Sequence, residues 1–352
     1  MFNFLLAPFL LALVIALLFT PATILLAKKL KLLDDPSTHK HPAVIHKKPI
    51  PRAGGLPIFI SIVLASFFFI PTDRILISIL TGGLLTVVVG ILDDKYDLSP
   101  YVRFVANFMS AGIVVYAGMT IPFVTNPLGG TLHFQNFQFL LNGFSLSVSV
   151  SAILATIWIV WVMNMLNWSK GVDGQMPGIA IVSAMVIGIA SLRFPMLNQE
   201  NIIAAQLSFI VAGAGLGFLV YNFYPAKIFP GYSATILGFM IGVLSILSGV
   251  KLATAILVMG IPTVDALFTI LRRILSKRSP FWHDKGHLHH MLLKIGFGQR
   301  TIAVFYWTMS ALLGLFALTL SSKGKLFAII LLGVLVGAFI LTLKFFTRKN
   351  LN

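Results

Sequence analysis

Residues 75–97 read ILISILTGGLLTVVVGILDDKYD. No charge appears before the run ends on Asp93 and Asp94. A bilayer core of about 30 Å is crossed by about 20 apolar residues in a helix. The stretch therefore predicts a membrane-spanning helix with two adjacent carboxylates at its end. Such a pair at a membrane edge is unfavourable unless a cation or a proton use compensates. A hard cation such as Mg2+ takes one or two carboxylates plus phosphate oxygens. Asp-Asp here points to a metal-assisted phosphoryl site, or to one metal ligand beside one base. The structural alternative is a solvated helix end paired with Lys95.

Apolar segments of the same kind occupy 2–27, 54–70, 75–92, 102–121, 144–166, 179–192, 202–221, 235–250, 252–271, 302–320 and 327–346. The sixth and eighth are short, so the expectation is ten or eleven transmembrane helices. Composition agrees: 58% of the 352 residues are hydrophobic, 10% are charged, and the mean hydropathy is +0.95. Soluble domains run at about 45–50% apolar and about 25% charged. A soluble or disordered chain is excluded. The fold class is all-α: a polytopic transmembrane helical bundle, one integral membrane domain over 1–352. The first segment reads as a span rather than a signal peptide, because it is long and a Lys cluster follows it. There is no Cys, which excludes disulfides and thiolate chemistry.

With eleven helices, 21 of the 26 Lys and Arg fall on one side of the membrane. Cytoplasmic loops carry the excess of Lys and Arg. This predicts a multi-pass plasma-membrane protein, N-terminus outside, with loops 28–53, 93–101, 165–178, 222–234 and 272–301 in the cytoplasm. Seven of the ten acidic residues and seven of the eight His lie on that same side. A transporter would place polar groups near the midplane, where only Asp265 lies. Polar groups gathered at one face suit an enzyme acting where a lipid headgroup meets a water-soluble substrate. The net charge of +16 is ascribed to topology, anionic lipid and a phosphorylated substrate, not to nucleic acid.

The loops supply the chemistry. In 34–57, Lys48 and Arg52, with Lys47, are candidate phosphate ligands, although a topology-setting basic loop would read the same. Asn164 and Asn167 share a helix face, and Lys170, Asp173 and the glycines around them form an acid-bearing turn suited to a ribose, a base edge or a metal. Asn222 and Lys227 occupy the exit of the seventh segment. The last loop has His287, His289 and His290 in a tight cluster that suits diphosphate binding or a proton relay. An amphipathic segment lying on anionic lipid is the alternative. Asp265, inside an apolar helix, is equally suited to structural pairing and to a substrate role.

The stretches KPIPRAGG (48–55), GILDD (90–94), NMLN…GVDG (164–174), YNFYPAKIF (221–229), DALFTILRR (265–273) and KGHLHH (285–290) occur in an order that resembles the polyprenyl-phosphate N-acetylhexosamine-1-phosphate transferase superfamily, glycosyltransferase family 4. The last two are more similar to the N-acetylglucosamine-1-phosphate branch than to the phospho-N-acetylmuramoyl-pentapeptide branch. The resemblance implies a UDP-sugar, expected to be UDP-N-acetylglucosamine, bound with Mg2+ or Mn2+. A polyprenyl phosphate attacks the sugar-linked phosphorus, UMP leaves, and the lipid-linked sugar enters cell-envelope glycan synthesis. A homodimer is compatible with it. On this resemblance Asp93, Asp94, His289 and His290 are catalytic. Lys48, Arg52, Asn164, Asn167, Lys170, Asp173, Asn222, Lys227 and His287 bind substrate, and Asp93, Asp94 and Asp173 hold the metal.

Two departures from the family pattern stand out. Tyr232 replaces a metal-binding aspartate, and Lys170 replaces the first of two loop aspartates. A catalytically weakened member that binds nucleotide sugar or lipid phosphate is the rival reading they raise.

Overall fold

The computed structural model describes residues 3–37, 46, 48–126, 129–134, 138–140, 147–194, 196–279 and 286–349. Lys47 and the 280–285 part of the last loop lie outside them. Among the described residues the chain forms thirteen helices and three two-stranded antiparallel hairpins. Each of the eleven apolar segments coincides with helix. These are α1 (Asn3–Lys29), α2 (Gly55–Phe69), α3 (Arg74–Tyr96), α4 (Pro100–Tyr116), α5 (Val150–Trp168), α6 (Gln175–Ser191), α7 (Gln199–Asn222) and α8 (Thr235–Leu247), followed by α9 (Leu252–Val258) with α10 (Gly260–Leu275), then α12 (Gln299–Thr319) and α13 (Ser322–Lys349). A short α11 (Leu288–Lys294) belongs to the last polar loop.

Two segments differ from expectation. The fifth begins at Val150 rather than 144, because Ser149 accepts from the Ser151 N–H and caps the helix there. The preceding strand, β6 (Ser147–Ser149), pairs with β5 (Gln138–Leu140). The ninth segment is not one rod: α9 and α10 meet at Met259 with a bend of 85°. By length and composition, six helices can cross a membrane, or seven if the bent pair counts once. Helices α2, α6 and α8 are apolar but shorter.

Of the short helices, α8 is internal. Thr235 to Ser245 of α8 are all buried, and α8 packs on α3, α5, α6 and α7. Lipid is as apolar as these side chains, so close packing rather than water exclusion holds the helices together. Gly213 and Gly217, four apart on α7, let the α1 backbone come against them: a Cβ on either would meet the Phe9 or Leu13 carbonyl oxygen. The outer helices turn large apolar residues outward instead, among them Leu18 of α1 and Phe327 and Val334 of α13.

At one end of the bundle, strands β1 (Leu33–Asp34) and β2 (Ile50–Pro51) pair beside the loops that follow α3, α5 and α7 and the turn that opens α11. Phe229 N–H donates to Pro51 O, and Asn222 ties α7 to Gly174 at the start of α6. The five loops of the sequence analysis thus meet on one face.

Candidate active site

Two groups of polar side chains share this face. The first is built on the last turn of α3, where Asp93 and Asp94 are both buried. The helix stops at Asp97, which takes a left-handed conformation and donates its N–H back to Asp93 O. Short polar Asp tolerates that conformation. Ser99 then caps α4 and Pro100 opens it, which sets Arg103 one turn inside. Arg103 Nη1 lies 3.3 Å from Asp93 Oδ1 and donates to Oδ2 at 3.4 Å. Arg103, not Lys95, is therefore the ion-pair partner of Asp93.

Asp94 is held by the 229–234 loop. Its Oδ1 accepts from Tyr232 N at 2.7 Å and its Oδ2 from Ser233 N at 3.4 Å. Gly231 makes that possible. Its φ is +65°, and a Cβ there would run into the Asp94 carboxylate. On the other side, Ser233 sits between Gly55 and Gly90, where a Cβ on either would strike its backbone. Ser233 Oγ accepts from Gly55 N–H at 3.1 Å. The loop is thus pinned to α2 and α3 by main-chain packing.

Lys170, just past the end of α5, reaches into the same place. Its Nζ donates to Gly231 O at 3.1 Å and stands 5.7 Å from the centre of the Tyr232 ring. Arg103 faces that ring at 5.3 Å. Burial lowers the Lys170 ammonium to about 8, against the opposing pull of Asp94 and Asp93. Burial pushes the Tyr232 phenol up to about 12, so it is neutral, and its oxygen accepts from Asn107 Nδ2 at 3.1 Å. Arg52 is ion-paired with Asp34 at 2.7 Å, and it acts electrostatically on both Asp94 and Lys170.

The second group is the histidine cluster. Asp265 of α10 accepts from His287 Nδ1 and from Leu288 N, each at 2.9 Å. The rings of His287 and His289 stack 5.5 Å apart, and His290 lies 4.3 Å from His289. Burial holds His289 well below the ordinary imidazole range, and its two His neighbours push the same way. Fully buried Gln175 and Tyr306 stand behind it. Gly171 joins the two groups: the His289 ring lies where its Cβ would be. Lys170 therefore stands between the carboxylates and the histidines.

The remaining sequence candidates spread around this centre. Asn222 is fully buried, with Oδ1 accepting from Gly174 N at 3.1 Å and Nδ2 donating to Ile228 O at 2.9 Å. These two bonds brace the loops. Asp173 accepts from Ala226 N at 3.0 Å, and burial raises its carboxyl above the usual range. Asn164 donates to Val160 O within its own helix, and Asn167 meets Thr235 Oγ1 at 3.5 Å. Lys48 is exposed, and Lys227 is exposed over the Tyr221 ring. Sequence reasoning missed Arg103 and the link from Asp265 to His287. Spacing carries no trace of either, since the partners are 10 and 22 residues apart across loops.

The donor set does not suit a divalent ion held by Asp93, Asp94 and Asp173. Both Asp94 oxygens face backbone N–H groups, Arg103 lies against Asp93 and leaves only its Oδ1 without a hydrogen bond, and Asp173 Oδ2 is engaged with Ala226. Among the described residues no three Asp, Glu or His stand together as a metal group.

The family model described as "Glycosyl transferase family 4" matches residues 76–249. A probable undecaprenyl-phosphate N-acetylglucosaminyl 1-phosphate transferase of Bacillus subtilis is 32% identical, over 93% of this chain and 88% of its own length. A decaprenyl-phosphate N-acetylglucosaminephosphotransferase of Mycolicibacterium smegmatis is 30% identical, over 75% and 70%. An undecaprenyl-phosphate alpha-N-acetylglucosaminyl 1-phosphate transferase of Thermotoga maritima is 27% identical, over 86% and 87%. With a likeness that runs through nearly its whole length and takes in the carboxylate pair, the chain belongs to glycosyl transferase family 4, the polyprenyl-phosphate N-acetylhexosamine-1-phosphate transferases.

Proposed function

We propose that this chain transfers N-acetylglucosamine-1-phosphate from UDP-N-acetylglucosamine to a polyprenyl phosphate, releasing UMP and leaving a polyprenyl-diphosphate-linked sugar. The observation that carries the reading is the meeting of Asp93, Asp94, Lys170, Arg103 and the histidine cluster at one end of a membrane bundle. Relatives of this chain bear the names of that reaction. The Lys and Arg excess of these loops supports a cytoplasmic site, where a nucleotide sugar is available.

Phosphoryl transfer needs in-line positioning and neutralisation of charge more than covalent help. An oxygen of the lipid phosphate forms the new bond to the sugar-linked phosphorus. The bond from that phosphorus to the bridging oxygen of UMP breaks. Asp93 is placed to orient the attacking phosphate or take its proton. Lys170 and Arg103 offset the diphosphate charge, and the histidines, positioned by Asp265, line its other side. Asn222 and Asp173 hold the 170–174 and 222–228 loops in register as the wall of the nucleotide pocket.

The test is UMP release by purified protein in detergent, with UDP-N-acetylglucosamine and undecaprenyl phosphate, with Mg2+ or with chelator. Lipid-dependent UMP that disappears in Asp93→Asn is the expected result. UMP absent under every condition, across a panel of UDP-sugars, would overturn the reading.

A further inference from the structure

Four observations around Lys170 bear on how the diphosphate is held. The protein already engages the carboxylates: Asp94 by two backbone N–H groups, and Asp93 by the Arg103 guanidinium, which donates to Oδ2 and lies 3.3 Å from Oδ1, an atom with no hydrogen-bond partner among the described residues. The cations match them in number. Lys170 and Arg103 stand beside Asp93 and Asp94, while Arg52 is balanced by Asp34. A divalent ion entering here would meet two fixed positive charges and displaced hydrogen bonds. Thirdly, Tyr232 contributes no charge. Its ring faces both cations, and its hydroxyl is taken by Asn107. Lastly, Lys170 Nζ makes one hydrogen bond among the described residues, to Gly231 O. An ammonium has three N–H donors, so two remain for phosphate oxygens.

We propose that Lys170 does the work of a divalent cation in this site, binding the diphosphate of the nucleotide sugar directly, together with Arg103 and without Mg2+. The proposal rests on the transferase reading for its substrate, but its geometry concerns any nucleoside diphosphate. Lys170 and Tyr232 act as a pair. The lysine supplies charge where the ring leaves no carboxylate to hold an ion, and the ring faces the lysine. Lysine is a point-charge phosphate binder, and Arg103 adds a planar fork.

The experiment measures UDP binding calorimetrically on the full-length protein in detergent, with Mg2+ and with EDTA. Electron paramagnetic resonance titrates Mn2+ without nucleotide in parallel. The expected UDP affinity with EDTA is within about threefold of that with Mg2+, whereas Lys170→Met weakens it about tenfold or more and Lys170→Arg by about threefold or less. Because Lys170→Arg keeps the charge, it separates loss of charge from loss of fold. Wild-type protein is expected to bind no Mn2+, and the double variant Lys170→Asp with Tyr232→Asp to gain one site. Wild-type Mn2+ binding that Asp93→Asn removes would overturn the proposal. So would UDP binding abolished by EDTA, unchanged in Lys170→Met, or absent altogether. UDP binding that survives EDTA, with no UMP ever released, supports the proposal and overturns the transferase reading alone.

Discussion

Asp265 Oδ2 accepts a hydrogen bond from His287 Nδ1 at 2.9 Å, while its Oδ1 accepts from Leu288 N at the same distance. One carboxylate in an apolar helix thus sets the ring orientation of the first histidine and holds the first turn of α11, which carries the other two. Beyond the 85° bend from α9, α10 carries Asp265 to this loop end.

Asp265→Asn should therefore lower UMP release by about 10- to 100-fold, the usual range when the partner that orients a functional histidine is lost. Asp265 is a positioning residue, so nitrogen NMR of labelled His287 is the deciding measurement. The Nδ1-protonated form should give way to a mixture of tautomers. An unchanged tautomer with the same loss of rate would show that Asp265 acts otherwise.

Gly171→Ala places a methyl group where His289 Nε2 lies. The backbone φ at Gly171 is not in the left-handed region, so the chain itself accepts alanine. The expected outcome is a folded protein with unchanged detergent extraction and at least about tenfold lower activity, since a misplaced group near the reaction is felt strongly. Full activity would mean that His289 does not have to sit against Lys170 and Gly171.

Asn222→Ala strips both hydrogen bonds that bind the start of α6 to the 223–228 loop. Each buried partner left unsatisfied costs about 1–3 kcal/mol, so the loss should be about 2–6 kcal/mol. A fall in melting temperature that precedes any change in substrate affinity supports a bracing role. Unchanged stability with a raised KM for UDP-sugar would instead make Asn222 a nucleotide ligand.

His289 ties stability to pH. In the unfolded chain its imidazole titrates at about 6.5. In the fold, burial keeps it neutral well below that. As pH drops through about 6.5 the unfolded state gains a proton that the folded state does not, and stability declines by up to about 1.4 kcal/mol per pH unit. Above about pH 7.5 neither state binds the proton and the contribution is flat. The melting temperature should fall between pH 7 and pH 5, and His289→Gln should make that slope shallower. An equal slope in the variant would place the titration elsewhere.

Much of the bundle is legible in the residues alone, because apolar runs long enough to cross a bilayer have only the helix as a way to satisfy their backbone. Six of the segments are long helices for that reason, and the other five are helical over shorter lengths. The bend at Met259 was not legible, since 252–271 reads as one continuous apolar run. Among site residues, Asp93, Asp94, Lys170 and the histidines announce themselves by standing out against apolar sequence. Arg103 does not, since a cationic residue near a helix start on a basic loop is ordinary. Asn222 does stand out, but its side chain braces loops, and only its two hydrogen-bond partners reveal that.

By itself the sequence determined that this chain is a helical membrane protein, that its chemistry gathers on one face, and which six stretches carry its family likeness. Those properties follow from composition and order, which do not depend on how helices pack. Which charges face one another was decided by the tertiary structure alone. Asp93 turns to Arg103, Asp94 to the Tyr232 and Ser233 amides, and Lys170 to Gly231, because glycines at 55, 90 and 231 let the loop backbone approach. An ion pair depends on distances of a few ångströms between segments far apart in the chain, and those distances exist only after packing.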